Sequence, residues 1–206
     1  LLQGSRALTN ADVLIITLGT AWVYQKESQI VANCHKLPAT EFTHRMLTVD
    51  ESGEYLRKCI LIAGKHRRVI LTVSPIRHLK DGLHQNQLSK ATLLLSIDNV
   101  ISQMREQGFV VDYFPSYEII LDELRDYRFY ASDMIHPSDT AVEYVWQRFA
   151  ETYFSDTTIS QANRLNAYNL LLRHRPLHPD SAEYKSFMQK LSAQYRELSK
   201  EFPWIE

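Results

Sequence analysis

The chain has 206 residues, with 23 basic and 24 acidic side chains and a formal charge of −1. An apolar content of 45% with 11% aromatics excludes disorder as the main state, and the near-neutral charge excludes nucleic acid as the main partner. Apolar runs such as Val13–Ile16 and Leu93–Leu95 fall far short of the roughly 20 residues that a membrane-spanning helix needs. Cys34 and Cys59 have no C-x-x-C spacing, so they are expected as reduced thiols, one buried and one partly exposed. His35, His44, His66, His84, His174 and His178 lack a metal-ligand spacing, and neither a metal nor an organic cofactor is expected. The start at Leu1-Leu2-Gln3, without a Met or a signal-like segment, is expected to be internal to a longer cytoplasmic protein.

In chain order, Leu1–Thr9 reads as the end of a helix. Asp12–Thr20 is a continuous apolar run closing in Gly19, the pattern of a parallel strand buried on both faces. Trp22–Gln25 and Gln29–Ala32 alternate like a small hairpin. Val49–Lys65 is predicted helical, Val69–Val73 a second strand stopped by Ser74-Pro75, and Gln87–Gln107 a helix ending at Gly108. Phe109–Phe114 is a third strand and Ile119–Leu124 a short helix. Pro137–Phe154 is a further helix, with Val142, Val145, Trp146, Phe149 and Tyr153 on one stripe. Strands alternating with helices imply crossover units and a parallel sheet. Beyond Ser155 only helices follow, over Ile159–Arg173 and Pro179–Phe202. Their stripe from Tyr184 to Phe202 would pack on its own domain or serve as a partner surface. The domains expected are 1–154, an α/β unit, and 155–206, a helical extension.

Ligands of an open parallel sheet gather outside the carboxyl ends of its strands. The loops there start at Gly19-Thr20, Ser74-Pro75 and Pro115-Ser116, and Ser132–Asp139 can reach the same edge. Within it, Pro137 suits the first position of a helix, placing His136 at the helix entrance in extended conformation. A neutral imidazole there can act as a general base. Asp133, three residues earlier, can select its tautomer and stabilise the imidazolium. The same two residues could equally serve only to cap the helix and its loop.

The chain as a whole resembles the GSCFA family, a bacterial group similar to SGNH (GDSL-type) hydrolases. The resemblance rests on Ile15–Tyr24, Asn33-Cys34-His35-Lys36, Thr72–His78 and Ser132–Pro137, in that order, over about residues 12–150. It implies an α/β three-layer sandwich with a parallel sheet, here truncated, plus the C-terminal helical extension. It also implies a serine-dependent esterase or acyltransferase acting on a small or carbohydrate-linked ester, in which Asp133 and His136 are the aspartate and histidine of a Ser–His–Asp arrangement. The family's Gly-Ser-Cys-Phe-Ala motif is missing, since Gly4-Ser5-Arg6 does not match it. The nucleophile is therefore expected upstream of Leu1, and these residues alone are expected to be inactive. Where SGNH enzymes have G-x-N-D, with its Asn as oxyanion donor, this chain has Gly19-Thr20-Ala21-Trp22. Asn33 and the backbone of Gly19 and Thr20 become the candidate oxyanion donors. The first two sheet strands would also lie upstream, leaving Val13–Leu18 as an apolar edge. That edge is expected to be covered by another copy, a separate segment or a rearranged one.

Ser74 lacks the small neighbours of a nucleophile elbow and reads as a turn or cap, with a possible place in the substrate lining. Cys34 and His35 are candidates for structural or lining roles. Arg77, His78 and Lys80 form either a solvated loop or a clamp for an anionic substrate, and Trp22 and Tyr24 read as core or as a sugar platform. The rival to an enzyme is a non-catalytic binding or assembly module that has lost part of the catalytic set; a homo-oligomer through the strand edge or the C-terminal helices is a third expectation.

Overall fold

The computed structural model describes residues 10–34, 36–173, 178 and 180–205. They form strands β1 (Val13–Leu18), β2 (Trp22–Lys26), β3 (Gln29–Val31) and β4 (Thr43–Met46), then α1 (Val49–Ala63), β5 (Arg68–Val73), α2 (Leu83–Glu106) and β6 (Val110–Phe114). Helices α3 (Asp139–Tyr153), α4 (Asp156–Leu172) and α5 (Ala182–Glu201) follow. The architecture is α/β, with a parallel sheet and C-terminal helices. The helix expected over Leu1–Thr9 lies outside the described residues. The chain divides into two compact units, Leu1–Val145 and Trp146–Glu206.

In the first unit the sheet order is β1-β5-β6, all parallel, because each return to the sheet passes through a helix. Val13 pairs with Arg68 and Leu18 with Val73; Arg68 pairs in turn with Val110, and Thr72 with Phe114. One face of the sheet, with Val69, Leu71, Val73 and Val111, packs against Leu56 and Ile60 of α1 and Leu93, Ile97, Val100 and Met104 of α2. Gly53 of α1 faces Val100 of α2, to which a Cβ there would stand in ordinary contact at 3.4 Å. Helix α1 starts with a reciprocal cap. The Thr48 hydroxyl accepts from the Glu51 N–H, and the Glu51 carboxylate accepts from the Thr48 N–H. Arg45 adds a fork of two bonds to the same carboxylate, at 2.9 and 2.7 Å. Its guanidinium and then the Thr48 N–H hold the Glu51 carboxyl down to about 2. The helix stops at Gly64, whose φ of 83° favours glycine.

The structure corrects two local expectations and extends a third. β1 is parallel but not buried on both faces. Val13 and Ile15 are 48% and 50% exposed, and among the described residues no strand pairs its far edge. The excursion after β1 contains the expected hairpin, β2 with β3, and adds β4 on the other side of β2, giving a three-stranded antiparallel sheet β3-β2-β4. Neither cysteine is buried: Cys34 is half-buried and Cys59 exposed, both as free thiols.

In the second unit Tyr168 of α4 and Leu191 and Leu198 of α5 are buried together with Phe202. Arg164 pairs with Glu201 while Tyr168 stacks on Tyr195, so the two helices run antiparallel. The aromatic stripe of α3 is only partly covered, with Trp146 half exposed and stacked on Phe149. Among the described residues no helix is long and apolar enough to cross a membrane.

Candidate active site

The carboxyl ends of the three parallel strands are knitted together by polar groups. The Ser74 N–H donates to the Leu18 carbonyl at 2.9 Å. The Ser116 hydroxyl, after β6, donates to the Val73 carbonyl and lies 2.7 Å from the Thr72 hydroxyl. The turn at Ser74 is local, its Oγ accepting from the Ile76 N–H.

Above these strand ends, the first turns of α2 hold the loops. Helix α2 begins at Leu83, four residues before the expected start. The added turn brings in Asn86, and the next brings Ser89 and Lys90, all three buried. Asn86 Oδ1 accepts from the His78 N–H at 2.9 Å. Ser89 Oγ accepts from the Ala21 N–H at 2.7 Å and lies 3.0 Å from the Thr20 hydroxyl. Lys90 Nζ donates to the carbonyls of Gly19 and Ser74, both at 2.6 Å. Burial pushes the Lys90 ammonium down to about 8. Burial, reinforced by the Lys90 charge, also lowers His78, against the upward pull of Asp81. His78 rests against Gly19, where a Cβ would meet its Nε2 at 3.3 Å.

The segment Tyr130–Ser138 forms a tight turn closed by the Tyr130–Pro137 bridge and by the Ala131 N–H bonded to the His136 carbonyl at 2.8 Å. This corrects the helix start. Pro137 lies in the bridge and α3 begins at Asp139, so His136 is held by the turn and not by a helix entrance. Asp133 organises the turn. Its Oδ1 accepts from the N–H groups of Ile135 and His136 at 2.9 and 3.0 Å, while its Oδ2 lies 2.6 Å from His136 Nδ1. The His136 N–H, then the His136 ring, then the Ile135 N–H hold the Asp133 carboxyl down to about 2. An ionised carboxylate only accepts, so Nδ1 donates to it, and in the neutral ring Nε2 presents a lone pair. Both side chains are exposed, 57% for His136 and 45% for Asp133.

Arg77 links the two halves of the site. It donates to the Met134 carbonyl at 3.1 Å and places its guanidinium 4.1 Å from the centre of the Tyr130 ring. Beside it lies a cavity of about 180 Å³ lined by Arg77, Ile120, Arg125, Tyr127 and Tyr130. The loop is thus anchored at Arg77 and at His78. Lys80 also has a partner, the Tyr24 hydroxyl. Trp22, His44 and Tyr24 form one stack with ring centres 4.8 and 4.7 Å apart. Asn33 stands exposed in the segment after β3, and His35 lies outside the described residues.

The model of the GSCFA family matches residues 1–149, a stretch that contains every element of this site. The chain belongs to the GSCFA family. A second family model, for the C-terminal domain of GSCFA domain proteins, matches residues 169–206. No curated protein and no solved structure matches the chain. In this GSCFA protein, Asn86, Ser89 and Lys90 escaped the sequence reading because polar residues in a first helical turn read as solvent-facing. Their spacing of three and four, which puts them on one face, was the available signal.

Proposed function

We propose that this GSCFA protein supplies the general base and its orienting carboxylate to a serine-dependent acyl-transfer reaction on a small or carbohydrate-linked ester. The observation that supports this reading is the 2.6 Å contact between Asp133 Oδ2 and His136 Nδ1, which leaves Nε2 free to take a proton. A serine hydroxyl supplied from outside the described residues attacks the ester carbonyl while His136 Nε2 accepts its proton. The new C–O bond gives a tetrahedral oxyanion, which the Gly19–Thr20 backbone and Asn33 would hold. As that intermediate collapses, the proton passes from His136 to the leaving alcohol and an acyl-serine remains. Water then releases the acid, or an acceptor alcohol takes the acyl group, with His136 again acting as base. Asp133 stays ionised throughout and stabilises the imidazolium.

The test is a panel of acyl esters turned over by the full-length protein and by its His136→Ala variant. The expected loss is on the order of 10⁴-fold or more in kcat/KM. Unchanged turnover in His136→Ala contradicts the reading. The second reading, a non-catalytic binding module, is favoured by Ala21, which stands where the G-x-N-D pattern has its amide donor. It predicts no turnover in either protein.

A further inference from the structure

Lys90 is a lysine at 1% exposure, and among the described residues no carboxylate bonds it. Burying a charge without a counter-ion is costly, so its presence here calls for a reason. Its two acceptors are main-chain carbonyls at the ends of neighbouring parallel strands, Gly19 after β1 and Ser74 after β5. The peptide after Ser74 leads into Pro75 and has no N–H to offer. The peptide after Gly19 does. It is trans, so with the Gly19 oxygen turned to Lys90 the Thr20 N–H points the opposite way. The Thr20 side chain is drawn back to Ser89 and to the Trp22 N–H, and among the described residues no acceptor meets the Thr20 N–H. A cation on the oxygen side of a peptide polarises it and strengthens its N–H as a donor.

We infer that Lys90 is a positioning residue for acyl transfer. It fixes and polarises the Gly19–Thr20 peptide so that the Thr20 N–H receives the negative charge developing on the ester carbonyl oxygen. This rests on the acyl-transfer reading above. It accounts for how a donor is provided where Ala21 replaces a side-chain amide. Asn86 and Ser89 keep the same two loops in place through neutral bonds, so the fold at this edge does not depend on the charge alone.

The experiment measures kcat and KM for p-nitrophenyl acetate with the full-length protein and its Lys90→Met and Lys90→Gln variants, each checked for a cooperative thermal melt. Gln retains an amide that can bond the carbonyls but removes the charge. The expected result is a loss of about tenfold or more in kcat for both variants with KM little changed, larger for Met. A second measurement needs no variant. When the wild type is labelled by a fluorophosphonate, whose phosphonyl oxygen mimics the oxyanion, the Thr20 amide proton should shift downfield. Wild-type kcat in folded Lys90→Met and Lys90→Gln, or an unmoved Thr20 amide in the labelled protein, overturns the role of Lys90 while leaving acyl transfer standing. A wild type that neither hydrolyses esters nor takes the label removes the acyl-transfer reading and this inference with it.

Discussion

Arg77 donates to the carbonyl oxygen of Met134 at 3.1 Å, and Met134 holds a left-handed φ of 60° between Asp133 and Ile135. The bond joins the end of β5 to the turn that positions His136. Without it, the turn keeps its own closure through Tyr130 and Pro137 but loses its anchor to the sheet. Arg77→Ala is expected to lower kcat for ester turnover by about tenfold to a hundredfold, since small displacements of a catalytic group have effects of that size. Arg77→Lys should rescue little, because an ammonium does not reproduce the stacking of the planar guanidinium on Tyr130. Steady-state kinetics together with a melting curve will separate this from unfolding.

Asp133→Asn tests the tautomer. The Asn carbonyl can still accept from the N–H groups of Ile135 and His136, so the turn should persist. Its amide would donate to Nδ1 and force the ring proton to Nε2, removing the base. A fall of about 10⁴-fold in kcat with an unchanged melting temperature is the expected outcome.

Lys90 makes stability depend on pH in a definite direction. An unfolded lysine titrates near 10.5, and the folded one is pushed down to about 8. Below about 8 both states hold the proton and the burial cost is present in full. Between about 8 and 10.5 the unfolded chain binds a proton that the folded chain has lost, so stability rises with pH. Tyr113, raised by burial and by its bonds to Glu118, acts in the opposite sense once an unfolded tyrosine ionises near 10. The clean window therefore closes there. Relative to Lys90→Met, the wild type should gain on the order of 1 kcal/mol between pH 7 and pH 9.5 in urea unfolding.

Thr48→Ala removes the hydroxyl half of the cap on α1, far in function from the proton-transfer groups. A loss of about 1 kcal/mol is expected, or a drop of about 2–4 °C in melting temperature. Ester turnover should be unaffected, which calorimetry and an activity assay on the same sample will check.

Much of this fold could be read before the structure. The apolar runs of β1, β5 and β6 and the helical spacing of Leu93, Ile97, Val100 and Met104 mark the alternation directly, because core burial sets their period. β4 was missed because Thr43-His44-Arg45-Met46 carries no apolar alternation; it pairs through backbone bonds with β2 and through Arg45 to Gln25. The start of α3 was misplaced because Pro137 suits a helix start and an extended bridge equally well, and the choice was made by pairing with Tyr130. The contact between Asp133 and His136 follows from their spacing, whereas a catalytic role for them comes from the family resemblance. The anchoring by Arg77 and Lys90 was not legible, since both act through main-chain carbonyls brought near only by the fold.

The proposed activation of a serine hydroxyl by His136 is decided by treating the full-length protein with a fluorophosphonate and locating the adduct by mass spectrometry. One serine adduct, outside the described residues, is expected to form rapidly in the wild type and to be nearly abolished in folded His136→Ala. Labelling at Ser74, or labelling of His136→Ala at the wild-type rate, would contradict it.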